Sequence, residues 1–109
     1  MIFDATKYYH NKAFDLTEDE RVFILDYIYG LQRERDIALA ECAGRSEEEK
    51  TKYKAIADEA IADMRHARDT LEKRGILLAY NWPGRRGEWF FPTYGEAEMY
   101  EDWLIQCSD

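Results

Sequence analysis

The sequence predicts a mainly α-helical fold with a small β-hairpin, an α+β arrangement of two long antiparallel helices, the hairpin and a closing helix. Three observations carry this expectation. Three Ser/Thr-x-x-Glu segments mark helix starts, apolar stripes of helical spacing follow the first two, and a Pro-Gly turn separates two short β-favouring runs.

Thr17-Glu18-Asp19-Glu20, Ser46-Glu47-Glu48-Glu49 and Thr93-Tyr94-Gly95-Glu96 each set a hydroxyl three residues before a carboxylate. In that spacing the two side chains satisfy two backbone N–H groups that a helix start otherwise leaves unpaired. The acid also suits the positive end of the helix dipole. The first helix is expected over 17–43, with Ile24, Ile28, Leu31, Ala38 and Cys42 as its apolar stripe, widened by Leu25 and Leu39, and Gly44 as its stop. The second is expected over 47–74, with Tyr53, Ile56, Ala60, Met64, Ala67 and Leu71 on one face and Gly75 after it. The connection is short, so the two should form an antiparallel hairpin. The runs at 76–82 and 88–91 flank Pro83-Gly84 and read as a β-hairpin spanning about 76–91. Pro92 cannot donate to a ladder and should close the second strand or lie on an edge. A closing helix is expected over about 95–107, with Ala97, Tyr100, Trp103, Leu104 and Cys107 on one side. Residues 1–16 form an aromatic arm (Ile2, Phe3, Tyr8, Tyr9, Phe14) ahead of a single domain at 17–109.

With 109 residues there is room for one core. Apolar residues make up 46% and charged residues 35%, which excludes a disordered tail, and no run reaches the ~20 apolar residues of a membrane helix. The first residues lack the basic-then-apolar pattern of a secretion signal, so a cytoplasmic protein with no membrane contact is expected. Cys42 and Cys107 form no C-x-x-C pair and read as small, reduced core residues.

The net charge of −8 is unevenly spread. Residues 1–49 carry 6 basic and 12 acidic side chains, residues 50–86 carry 9 and 5, and residues 87–109 carry none and 6. The positive segment falls on the second helix and the hairpin tip, where it is either a nucleic-acid contact or an ordinary solvated face.

Leu71-Glu72-Lys73-Arg74-Gly75-Ile76-Leu77 is similar to the end of a recognition helix entering a first wing strand. Gly84-Arg85-Arg86-Gly87-Glu88-Trp89-Phe90-Phe91-Pro92-Thr93 is similar to a basic wing tip and its returning strand, and Tyr94-Gly95-Glu96-Ala97 to the step into a closing helix. The C-terminal half thus resembles a winged-helix (winged helix-turn-helix) domain over roughly a third of the chain. The resemblance implies a winged-helix-like fold, with Arg65, His66 and Arg68 along a recognition helix facing the major groove. Arg85 and Arg86 would then touch the DNA backbone or minor groove.

Chemistry-bearing sets are sparse. No G-x-x-x-x-G-K, G-x-S-x-G or H-E-x-x-H occurs. Asp63 and His66, with Glu59 one turn earlier, form one carboxylate–histidine step where a di-iron helix bundle needs two. The expectation is therefore no enzyme, no cofactor and no metal. Trp82 and Trp89, beside Arg85 and Arg86, are either core or the aromatic–arginine centre of an interface, to a partner or in a homodimer.

The leading expectation is a non-enzymatic interaction protein that inhibits or regulates a protein partner. In its sharper form Asp15, Glu18, Asp19, Glu20, Asp26, Glu34, Asp36 and Glu41 stand in for phosphates and occupy a nucleic-acid-handling protein, as phage anti-defence (anti-CRISPR) inhibitors do. The alternative is a winged-helix DNA-binding transcriptional regulator that uses Arg65, His66, Arg68, Arg85 and Arg86.

Overall fold

A computed structural model of the chain describes residues 3–107; Ile2 of the expected arm lies outside the described residues. Mainly helical architecture with a small antiparallel hairpin is what it shows.

Helix α1 (Glu18–Glu41) starts at Thr17, whose hydroxyl accepts from the Glu20 N–H at 3.2 Å while Glu20 Oε1 accepts from the Thr17 N–H at 2.9 Å. Both halves of the expected box are thus present. Gly44 takes φ +74°, a left-handed value that costs glycine little, and the chain reverses into α2 (Glu47–Lys73). Ser46 caps α2 by accepting from the Glu49 N–H at 3.3 Å. At the far end the Gly75 N–H reaches Glu72 O at 2.9 Å and the Ile76 N–H reaches Leu71 O at 3.0 Å. Those two bonds, with Gly75 at φ +80°, make a Schellman stop.

Strands β1 (Ala79–Tyr80) and β2 (Trp89–Phe90) pair antiparallel with Ala79 opposite Phe90. They are shorter than the sequence predicts, for a physical reason. Continuing the register sets Leu77 opposite Pro92, which has no N–H to offer. The buried side chain of Asn11 takes the place of that rung. Its amide donates to Leu77 O at 3.0 Å and to Pro92 O at 2.9 Å, and its Oδ1 accepts from the N–H groups of Leu77 (2.9 Å) and Ala13 (3.1 Å). At the other strand margin the Tyr29 hydroxyl accepts from the Trp89 N–H at 2.8 Å and lies 3.4 Å from Trp89 O, while Gln32 Oε1 accepts from the Trp89 indole N–H at 2.8 Å. Helix α1 is thereby docked on the hairpin.

Residues 3–16 of the arm are part of the same body and not an appendage. Two 3-10 helices (Ala5–His10 and Lys12–Asp15) run across the hairpin, the Lys12 N–H donates to Gly75 O at 2.9 Å, and the Ala5 N–H donates to Glu101 Oε2 of helix α3 (Tyr94–Cys107) at 3.1 Å. Thr93 and Glu96 form the third expected box, with Thr93 Oγ1 accepting from the Glu96 N–H at 3.2 Å and Glu96 Oε1 accepting from the Thr93 N–H at 3.0 Å.

Alternation along the strands feeds two cores. Leu78, Trp89 and Phe91 face α1 and α2, meeting Ala13, Ile28 and Met64. Ala79, Trp82 and Phe90 face the arm and α3, meeting Ala5 and Ala97 beneath Phe3, Tyr8, Tyr94 and Tyr100. The hairpin is a middle layer with both faces covered. The stripe positions depart from expectation at five points: Leu39, Ile56, Trp103 and Cys107 are exposed and Cys42 is only half-buried. Among the described residues no helix is long and apolar enough to cross a membrane.

Candidate protein-interaction groove

The hairpin tip is built by two tight turns. The Arg85 N–H donates to Trp82 O at 2.9 Å with Pro83 and Gly84 (φ +82°) at the centre, and the Glu88 N–H donates to Arg85 O at 3.2 Å with Gly87 at φ +74°. Proline followed by a positive-φ glycine is the type II pattern. Asn81, itself at φ +62°, ties the tip by accepting from the Gly87 N–H at 2.8 Å.

This tip leans over α3 and leaves a groove of about 370 Å³. Its floor is aromatic: Trp82 stacks on Tyr100 with centroids 4.3 Å apart and meets Phe90 edge-on at 5.3 Å. Arg85 forms one wall. Its guanidinium lies 4.3 Å over the Phe90 ring and bridges Glu88 (3.8 Å) and Glu96 (3.4 Å). Glu96 therefore both caps α3 and positions the arginine. The outer lip is Met99, 73% exposed, and Trp103, 43% exposed, one helical turn apart. Glu98 and Asp102 are exposed on the same helix, and no basic residue occurs from 87 onward. On the far side of α3 Tyr94 stacks on Tyr9 at 4.1 Å; the hydrogen bond with Tyr9, then desolvation and the nearby Glu98, hold the Tyr94 hydroxyl well above the ordinary phenol range. Burial pushes the Tyr8 hydroxyl up as well.

Such a groove can accept an apolar side chain on its floor and basic side chains along its rim. Aromatic, Met and Arg groups are what interface centres favour.

Trp82 and Trp89 are core residues, each 8% exposed, and not exposed partner anchors. The arm and α3 cover one hairpin face and α1 the other, so neither tryptophan is left in solvent; Trp82 reaches the groove only as its floor. Arg85 is half-buried and paired, while Arg86, Arg65, His66 and Arg68 are exposed. Helix α2 carries the last three without interruption from Glu47 to Lys73, so no turn precedes them. All eight expected acidic positions are exposed but do not make one tract. Asp15 ends the second 3-10 helix, Glu18, Asp19 and Glu20 crowd the first turn of α1, and Asp26, Glu34, Asp36 and Glu41 are spread along it. Thr17 engages Glu20, Arg35 holds Asp36 at 2.8 Å and Arg45 holds Glu41 at 2.8 Å. Phe23, Tyr27 and Ile37 interrupt the remainder.

The lip residues Met99 and Trp103 were not singled out by the sequence as a site. Met99 stands outside the apolar stripe of α3 while an aromatic sits four residues on, and that was the available signal. Among the described residues no three His, Cys, Asp or Glu side chains gather as a metal site would require. No protein-family model, curated protein or solved structure matches the chain.

Proposed function

We propose that this chain is a non-enzymatic, cytoplasmic interaction protein that regulates or inhibits a protein partner by holding a basic, apolar-anchored segment in the groove between α3 and the hairpin tip. The observation that supports it is the exposed Met99–Trp103 lip over an aromatic floor, on a helix whose charged residues are all acidic. Burying two large apolar side chains in a desolvated contact supplies affinity, and the acidic rim supplies selectivity and rate. A basic partner of this kind fits the nucleic-acid-handling machinery that phage anti-defence inhibitors occupy. The DNA-binding alternative draws less support, because α2 has no break before Arg65 and Arg85 is neutralised by Glu88 and Glu96.

The test is a titration of the full chain with short labelled peptides bearing one Leu or Trp among lysines, against the same peptides with glutamates. Preference for the lysine series, weakening with salt and lost in Trp103→Ala, is the expected result. Equal binding of both series would sink the reading. A labelled DNA duplex in the same assay at low salt decides the alternative: binding abolished by neutralising Arg65, Arg68 and Arg86 would put DNA in the partner's place.

A further inference from the structure

The α1–α2 pair is covered on one side only. Tyr29 and Gln32 turn towards the β-hairpin, whereas Phe23, Tyr27, Gly30 and Ile37 lie on the opposite side of α1, at helical steps of four, three and seven. There they border two shallow depressions between the helices: Gly30 and Ile37 face Tyr53 and Ile56 of α2, and Phe23 and Tyr27 face Ala67, Thr70 and Leu71 nearer its end. Phe23 is 75% exposed, and Tyr27, Ile37 and Ile56 are exposed with it.

Two properties of the whole molecule and one of Gly30 fit a partner on this side. The chain exposes 7831 Å², where a compact monomer of 13.0 kDa exposes about 6,300 Å². That surplus of roughly 1,500 Å² exceeds the ~800 Å² per partner of a standard interface. The radius of gyration is 16.5 Å, against about 13 Å for a compact domain of this length. Finally, Gly30 sits mid-helix, where glycine costs about 1 kcal/mol relative to alanine, and nothing lies within 4 Å of where its Cβ would be. Nothing among the described residues accounts for it. A second helix crossing close over the bare backbone would.

The residues around Gly30 also fit a copy of themselves. Tyr27 and Arg33 lie three residues to either side, Phe23 and Ile37 seven. A two-fold axis at Gly30 with the α1 helices antiparallel sets Phe23 on Ile37 of the second copy, and Tyr27 beneath Arg33 of the second copy as a cation–π pair. We infer that the bare face of α1–α2 binds a second copy of this chain, forming a four-helix bundle whose α1 helices cross at Gly30. This surface is separate from the α3 groove and does not depend on what the groove holds.

The axis also brings Asp26 near Glu34 of the second copy, and each chain carries a net −8. Like charge opposes this assembly, so salt should tighten it, the reverse of binding to a basic partner.

Sedimentation equilibrium of the full chain at tens of micromolar tests the inference. The expected result is a mass twice 13.0 kDa, with a dissociation constant that falls as salt rises. Gly30→Leu adds a good helix former where the monomer has space, so the folded chain persists by circular dichroism while the dimer weakens about tenfold or more. Phe23→Glu should act the same way. A monomer at these concentrations, or a dimer that either substitution leaves unchanged, overturns the inference.

Discussion

The Asn11 carboxamide and the Leu77 peptide pair as two strands would: the Leu77 N–H donates to Asn11 Oδ1 at 2.9 Å, and the Asn11 amide donates to Leu77 O at 3.0 Å. With Ala13 N–H and Pro92 O the side chain uses all four of its hydrogen-bonding positions. One buried amide thus locks the arm, the exit of α2 and the entry to α3.

Replacing Asn11 by Leu leaves the Leu77 and Ala13 N–H groups and the Leu77 and Pro92 carbonyls without that partner in a buried site. The loss should be about 4 kcal/mol or more, since each of these orphaned buried groups costs about 1–3 kcal/mol. Asn11→Asp should also destabilise, because a carboxylate would face two carbonyl oxygens. Urea denaturation followed by circular dichroism reads both; a change below half a kcal/mol would contradict the account.

Tyr29→Phe keeps the ring and removes the hydroxyl that contacts both Trp89 N and O. A loss of about 1–2 kcal/mol is expected, as for a part-buried hydrogen bond whose partner is left unpaired. The same denaturation, with tryptophan fluorescence as a second probe, checks it.

The Lys7–Glu72 pair, 2.7 Å long, fastens the arm to α2. The hydrogen bond from Lys7 holds the Glu72 carboxyl below the ordinary 4.5, and the same bond raises the Lys7 ammonium above 10.5. A carboxylate depressed on folding adds stability above its unfolded value and loses it as pH falls through the folded one. A raised ammonium adds stability below 10.5 and loses it as pH climbs past its folded value. The pair is about half-exposed and solvent-screened, so the effect is about 0.2–1 kcal/mol. Thermal melts of the wild type and Lys7→Met should differ near neutrality and converge as pH drops below the Glu72 range.

Met99→Ala and Trp103→Ala remove exposed side chains and should each leave folding stability within about 1 kcal/mol. For the lysine-rich peptide, Trp103→Ala should cost about 2 kcal/mol or more, as buried aromatic anchors do. Peptide affinity and melting temperature measured on the same samples separate the two effects.

Helix starts were legible because a capping box is written within four residues. The Asn11 contacts were not: its partners Leu77 and Pro92 lie 66 and 81 residues away, and nothing local marks an asparagine for that role. Pro92 signalled a ladder's end, though not the side chain that takes its place. The arm was legible as aromatic but not as packed, since 3-10 segments show no long apolar period. That omission carried over to Trp82, whose burial depends on Phe3 and Tyr8 folding across it at 5.7 and 5.8 Å. The groove was half legible: Arg85 and Trp82 were named, while the lip on α3 emerged only once the hairpin was seen to lean there.

The side chains that flank the two-stranded sheet have a consequence for solubility. The Tyr80–Trp89 pair turns the Trp89 N–H and C=O away from β1, and the Tyr29 hydroxyl occupies both. At the open end Asn11 occupies the groups that a further rung would use. A strand from another chain therefore finds no free template at Trp89, on the outer edge of β2.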